Sequence, residues 1–187
     1  MNVEAESVEH LRETPLSRRE IHQGRLIGLV DDQVRLAGGA TAHREVVLHR
    51  GAVAVVALDE HGRAVLVRQW RHPAGRALWE IPAGTRDREG ESEEETARRE
   101  LAEETGFTAG SWRVLFEAFL APGYSTELMR FFLAEDLRPG TQSTDDDERL
   151  DVAHFTREQV AELIRAGSVD VKTVAGLALA GWPMDER

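Results

Sequence analysis

The sequence predicts an α+β protein: a mixed β-sheet held between α-helices, with a small β subdomain at the N-terminus. Three observations predict it. Short apolar runs of strand length recur from Arg25 to Phe155, one of them "GAVAVVALDEHGRAVLVRQWR", where two apolar strands flank an Asp-Glu-His-Gly turn. Two capping-box patterns, Ser92 with Glu95 and Thr156 with Gln159, mark helix starts well apart in the chain. Strands and helices do not alternate regularly, which argues against an all-parallel doubly wound sheet.

Taken in order, residues 1–15 are acidic and polar and read as frayed. From Ser17 to His49 the stretches "RLIGLV", "QVRLAGG" and "REVVLH" suggest short strands joined by glycine turns, so residues 1–48 form the N-terminal β subdomain and 49–187 the main domain. The hairpin follows, then "RALWEIPAG", a third apolar stretch ending at Pro82 and Gly84. A helix is predicted from about Glu93 to Thr105, with Ser92 as N-cap and Gly106 as its stop. "WRVLFEAFLAPG" and "TELMRFFLAED" read as aromatic-rich strands on either side of a Pro-Gly-Tyr-Ser loop. An acidic loop at 143–149, a short strand at "LDVAHF" and two helices close the chain, the first stopping at Gly167.

Composition narrows the function. The chain has no cysteine, which removes disulfides, thiolate metal sites and cysteine nucleophiles. No apolar run approaches the length of a membrane span, and the N-terminus does not read as a secretion signal, so the expected location is the cytoplasm with no membrane partner. The net charge is −11, and most of it is local. Residues 1–80 are neutral. Gly84–Phe107 carries nine acids against four arginines, and Asp145, Asp146, Asp147 and Glu148 add four more acids. This balance argues against nonspecific nucleic-acid binding and fits a site that concentrates divalent cations. The basic residues are 22 arginines and one lysine, Lys172.

The predicted acidic helix poses a physical problem. Glu93, Glu94 and Glu95 lie in its first turn, where the macrodipole favours negative charge. Glu100, Glu103 and Glu104 lie in its last turns, where the dipole favours cations. Their spacing of three and four residues puts all three on one side, beside an apolar stripe of Ala97 and Leu101. Three carboxylates at the wrong end of a dipole call for a cation among them, and Mg²⁺ or Mn²⁺ suits oxygen ligands of this kind. Arg99 is placed to brace Glu103 or Glu95, each four residues away.

The full spacing is Gly84, Glu91, Arg99, Glu100, Leu101, Glu103, Glu104, Gly106, Phe107. It resembles the Nudix box of the Nudix hydrolases, with one departure: six residues rather than five separate Gly84 from Glu91. The extra residue falls before the helix and leaves the carboxylate register intact. "GAVAVVAL", "VLVRQWR", "WEIPAG" and "APGYSTE" resemble the ADP-ribose pyrophosphatase branch, in which a proline about 15 residues past the box, here Pro122, is characteristic.

The resemblance implies Mg²⁺- or Mn²⁺-dependent hydrolysis of ADP-ribose to AMP and ribose 5-phosphate, with two or three ions per site. It implies Glu100 and Glu104 as central metal ligands with Glu103 assisting, the Ala83 carbonyl as a backbone ligand, and Arg99 as the residue that orients the glutamates. Glu91 supports the loop. Asp146 or Glu148 would activate water, and Glu148 is also a candidate metal ligand. Arg71 matches a diphosphate-binding arginine, whose planar fork suits the group. Ser125 and Glu127, in the loop after Pro122, are candidates for the terminal ribose. Arg44 and Glu45 are candidates for adenosine, in an N-terminal segment that forms a homodimer. Residues 1–69 contain no Phe, Tyr or Trp, and Ile27 stands where some relatives stack adenine on an aromatic ring. The alternatives are hydrolysis of another nucleoside diphosphate sugar or dinucleotide, or a non-catalytic ADP-ribose-sensing module; retention of Glu100, Glu103 and Glu104 counts against the latter.

Overall fold

The computed structural model of the chain describes residues 8–143 and 149–182. Residue contacts divide the chain into two compact units. One comprises Met1–Arg50 with Phe119–Glu127, and the other Gly51–Ala118 with Leu128–Arg187.

The smaller unit is an antiparallel meander of β1 (Thr14–Gln23), β2 (Gly28–Arg35) and β3 (Thr41–Leu48). Its register is reinforced by charge. Arg18 pairs across from Asp32 and Arg19 from Asp31, and Arg18 donates two bonds of 2.7 Å to the Asp32 carboxylate. Val30 and Val34, two turns of the pleat apart on β2, are its buried apolar residues. Residues 8–15 are more ordered than expected: Glu9–Leu11 forms a 3-10 turn and β1 already begins at Thr14. Thr14 and Pro15 already pair with Arg35 and Val34 of β2, and Glu13 binds Arg44, contacts that a lack of apolar pattern conceals. Phe119–Glu127 joins the unit through backbone pairing with β3. Val47 N–H donates to the Tyr124 carbonyl at 2.7 Å, and Thr126 N–H to the Val47 carbonyl at 3.0 Å.

The larger unit is built on a seven-stranded mixed sheet. Its main path runs β10 (Asp151–Phe155), β5 (Ala64–Arg71), β4 (Ala52–Leu58), β9 (Leu128–Pro139), β8 (Phe107–Phe119). β6 (Arg76–Glu80) pairs with β5, and β7 (Ala83–Thr85) with β4. β4 and β9 are parallel, while β4 runs antiparallel to β5 and β7. β4 is apolar throughout because both of its faces are covered. Val53, Val55 and Ala57 pack with Ala97 and Leu101 of α1 (Glu93–Thr105). On the opposite face Val56 lies against Gly176 of α3 (Val171–Leu179). α2 (Arg157–Arg165) precedes α3 and packs along β10. This is the α+β sandwich the sequence predicts. Among the described residues no helix is long and apolar enough to cross a membrane.

Candidate metal and diphosphate site

α1 starts and stops where its sequence dictates. The Ser92 side chain accepts from the Glu95 N–H, and the Glu95 carboxylate accepts from the Ser92 N–H at 2.8 Å, closing the capping box. Gly106 ends the helix at φ 74°, a conformation that favours glycine. Between these ends the helix buries Ala97 and Leu101 and turns its late glutamates toward β7 and the loop before the helix.

Arg99 is the hub of the acidic cluster. Its Nε and Nη2 bond the two Glu91 oxygens at 3.0 and 3.1 Å. Its Nη1 bonds Glu100 Oε1 at 2.7 Å and Glu103 Oε2 at 2.8 Å. The expected brace to Glu103 is present; Glu95 is instead taken by the capping box. Burial by itself would lower the Arg99 pKa. The hydrogen bonds to Glu91 and Glu103 and the charges of Glu100 and Glu103 outweigh it and hold the guanidinium far above its ordinary value. The Arg99 bonds hold the Glu91 carboxyl below its usual range against the effect of burial, and a 3.0 Å bond from Thr96 helps. Arg88 reaches Glu103 at 3.2 Å.

β7 lies directly against this cluster. Ala83 N–H donates to Glu104 Oε2 at 3.1 Å, and Glu104 is only 4 % exposed. A Cβ on Gly84 would stand 2.0 Å from the Glu100 carboxyl carbon, so any other residue here would push the Glu100 carboxylate out of its present position. The helix end also anchors the chain before the acidic loop. Gln142 donates to the Glu104 carbonyl at 2.7 Å and Ser143 N–H to the Glu103 carbonyl at 3.1 Å. Asp146 and Glu148 lie outside the described residues.

The donor set fits a divalent cation. Four carboxylates (Asp87, Glu91, Glu100, Glu103) gather around two guanidiniums, Arg88 and Arg99, with Glu104 on the adjoining Ala83 N–H, and Arg99 is itself shielded from water. A surplus of partly buried negative charge is unfavourable in the metal-free protein and is relieved by cations with oxygen ligands. Among the described residues no three carboxylates or histidines already converge on one point. Arg99 gathers Glu91, Glu100 and Glu103, while Glu104 reaches instead to the Ala83 peptide.

A second charged cluster lies at the end of β5 and was not apparent in the sequence. Arg71 forks onto Glu80, with Nε to Oε1 at 2.7 Å and Nη2 to Oε2 at 2.6 Å. Lys172 bonds both Glu80 and Asp170. Glu80 is 1 % exposed and Lys172 5 %. Burial would raise the Glu80 carboxyl; the Arg71 bonds and the Lys172 charge overcome it and hold the group below its usual range. The signals were a lone lysine in an arginine-rich chain and an acid inside an apolar strand. Arg68 and Arg71 separate as alternation predicts: Arg68 pairs with Asp151 at 2.9 Å, and Arg71 turns to Glu80.

The remaining sequence candidates belong to the smaller unit. Arg44 is bound by Glu13, and the adjoining Glu45 is exposed. Ser125 Oγ accepts from the Glu127 N–H at 3.1 Å, which shapes the turn after the exposed Pro122.

Comparison with known proteins is decisive at this point. Residues 48–176 match the NUDIX domain. The chain belongs to the Nudix family. It is 41 % identical over 172 residues to an ADP-ribose pyrophosphatase of Mycobacterium tuberculosis, covering 90 % of this chain and 83 % of that protein. It is 38 % identical over 166 residues to an ADP-ribose pyrophosphatase of Bacillus subtilis, covering 87 % and 89 %. A solved structure of an ADP compounds hydrolase superimposes with a TM-score of 0.80 at 25 % identity, covering 91 % of this chain and 94 % of that one. The matched span contains the whole β7–α1 segment described above.

Proposed function

We propose that this Nudix protein hydrolyses the diphosphate of ADP-ribose, with Mg²⁺ or Mn²⁺, giving AMP and ribose 5-phosphate. The observation that carries the reading is the run of half-buried and buried carboxylates at the β7–α1 junction: Arg99 gathers Glu100 and Glu103, and Glu104 lies on the Ala83 N–H. The names of the relatives supply the substrate.

Each residue has a part in this reading. Glu100, Glu103, Glu104 and the Ala83 carbonyl would hold two or three ions, with Glu148 as a further ligand. When bound, such ions neutralise the diphosphate and make water a stronger nucleophile at neutral pH. Arg99 keeps Glu100 and Glu103 gathered before a cation arrives, so less side-chain freedom is lost on binding. Asp146 or Glu148 takes the proton from water. Arg71 spends only Nε and one Nη2 hydrogen on Glu80, and its side chain remains 41 % exposed, so three N–H donors are left for a phosphate. Arg44 and Glu45 are assigned to adenosine, and Ser125 and Glu127, after Pro122, to the terminal ribose. Each of these assignments is tested by a rise in KM on substitution.

The smaller unit supports a homodimer. All ten residues of β1 are exposed, Leu16 and Ile21 among them, and a strand bare on both faces is a ready surface for a second copy. Light scattering on the purified chain checks this by its mass.

The test of the activity is product analysis after incubation with ADP-ribose and Mg²⁺. AMP and ribose 5-phosphate in equal amounts are expected, with no turnover after chelation. A panel of nucleoside diphosphate sugars and dinucleotides run alongside identifies another leaving group if ADP-ribose is a poor substrate. Absence of hydrolysis across the panel with either metal overturns the reading.

A further inference from the structure

We propose that the N-terminal turn of α3, through Lys172 and Thr173, is a positioning clamp that fixes the strand segment presenting the Ala83 carbonyl. The inference rests on the reading of that carbonyl as a metal ligand and adds residues nearly 90 positions away in the chain.

Every residue from Trp79 to Ala83 is pinned. Trp79 N–H donates to the Ser168 carbonyl at 2.8 Å. The Glu80 carboxylate is gripped by Arg71 and Lys172. Ile81 N–H donates to Thr173 Oγ1 at 2.9 Å. The Pro82 carbonyl accepts from Val55 N–H at 2.8 Å. Ala83 N–H donates to Glu104 at 3.1 Å. Three of these five anchors come from the stretch Ser168–Thr173.

That stretch is itself made rigid. Asp170 caps α3, accepting from Thr173 N–H at 3.0 Å and from Thr173 Oγ1 at 2.6 Å, so the Thr173 hydroxyl has its hydrogen committed to Asp170 and its lone pair turned to Ile81. Lys172 ties the same Asp170 to Glu80.

The chain's one lysine thus joins two carboxylates, Glu80 and Asp170, at one buried point, a task that suits a compact ammonium on a flexible stem. It also leaves the opposite edge of Glu80 open to Arg71. The α3 turn thus stiffens two groups that the proposed reaction uses: the peptide at Ala83 and the Arg71 guanidinium.

The experiment compares Thr173→Val, Thr173→Ser and Lys172→Met in the full chain. Thr173→Val keeps the shape and removes the acceptor for Ile81 N–H; Thr173→Ser keeps the acceptor. In the metal-free protein, amide exchange at Ile81 and Ala83 is expected to quicken at least about 10-fold in Thr173→Val and Lys172→Met. Their Mn²⁺ dissociation constant, read by electron paramagnetic resonance, is expected to rise about 10-fold, the scale of losing a residue that orients a ligand. Thr173→Ser is expected to restore both. Wild-type exchange and Mn²⁺ affinity in Thr173→Val and Lys172→Met overturn the clamp. Glu104→Gln is run beside them. If it loses Mn²⁺ while the α3 variants do not, the clamp alone falls; if it also binds Mn²⁺ as wild type does, the metal assignment underneath falls with it.

Discussion

Two clusters of buried or half-buried charge in the larger unit are balanced differently. Around Glu80, two carboxylates (Glu80 and Asp170) meet two cations (Arg71 and Lys172). Around Arg99, four carboxylates (Asp87, Glu91, Glu100 and Glu103) meet two guanidiniums. A buried group of matched charges stands on its own once folded, and its geometry fixes the chain. An unmatched group is unfavourable until something from solution joins it. The comparison teaches that the number of carboxylates does not mark a site; what marks it is their excess over the guanidiniums that gather them.

Substitutions can break or sharpen this contrast. The largest effect is expected on the balanced side. Glu80→Gln leaves Arg71 and Lys172 without their shared carboxylate, and removing one partner of a buried ion cluster costs about 3–5 kcal/mol. Denaturant unfolding measures it. Because the folded Glu80 pKa is depressed, its contribution is fully present above the ordinary glutamate pKa and is lost as pH falls below it, so the gap between wild type and variant should close on acidification.

The unbalanced side should respond the opposite way. Glu104→Gln removes one of the surplus charges, so the metal-free fold should survive, while kcat for ADP-ribose is expected to fall at least about 100-fold. A variant that unfolds, or one that turns over as wild type does, erases the contrast.

The turn between β4 and β5 offers a third, smaller case. Burial would raise the Asp59 pKa, but the backbone N–H of Arg63, the His154 ring, the Arg63 guanidinium and the His61 N–H bring it down from 3.8 to about 2. Its contribution, about 2 kcal/mol, is fully present above pH 3.8 and is lost as pH falls to about 2. Asp59→Asn should therefore be less stable than wild type by about that amount at pH 7, with the difference vanishing in acid and Mn²⁺ affinity unchanged.

The smallest effect is expected at Arg98, next to Arg99 in the chain but on the solvent side of α1. It pairs with Glu94 at 2.7 Å and lies over Trp112. Arg98→Ala should cost under about 1 kcal/mol and leave kcat unchanged.

The sequence made α1 legible because its determinants are local. Ser92, Glu95 and Gly106 specify start and stop within the helix itself, and the observed span of Glu93–Thr105 is the one their spacing predicts. The hairpin around Asp59–Gly62 and the capping box of α2 were legible for the same reason. The Glu80 cluster was not. Its members come from β5, β6 and the start of α3, and no local pattern ties position 80 to position 172. Arg99's bonds to Glu91 likewise depend on how the preceding loop folds back, which helix periodicity does not describe. The ordering of residues 8–15 was missed because it rests on Thr14 and Pro15 pairing with β2 and on Glu13 binding Arg44, distant partners that no local apolar pattern marks.

The pairing of Phe119–Glu127 with β3 has a consequence for how the chain comes together. A ribosome that has released only the first 50 residues has delivered a meander lacking the piece that completes it. That piece arrives about 70 residues later, after α1 has emerged. Excising the N-terminal meander as a separate fragment should therefore yield an incomplete, association-prone ribbon, and the first half of the nascent chain must wait for the second before either unit can close.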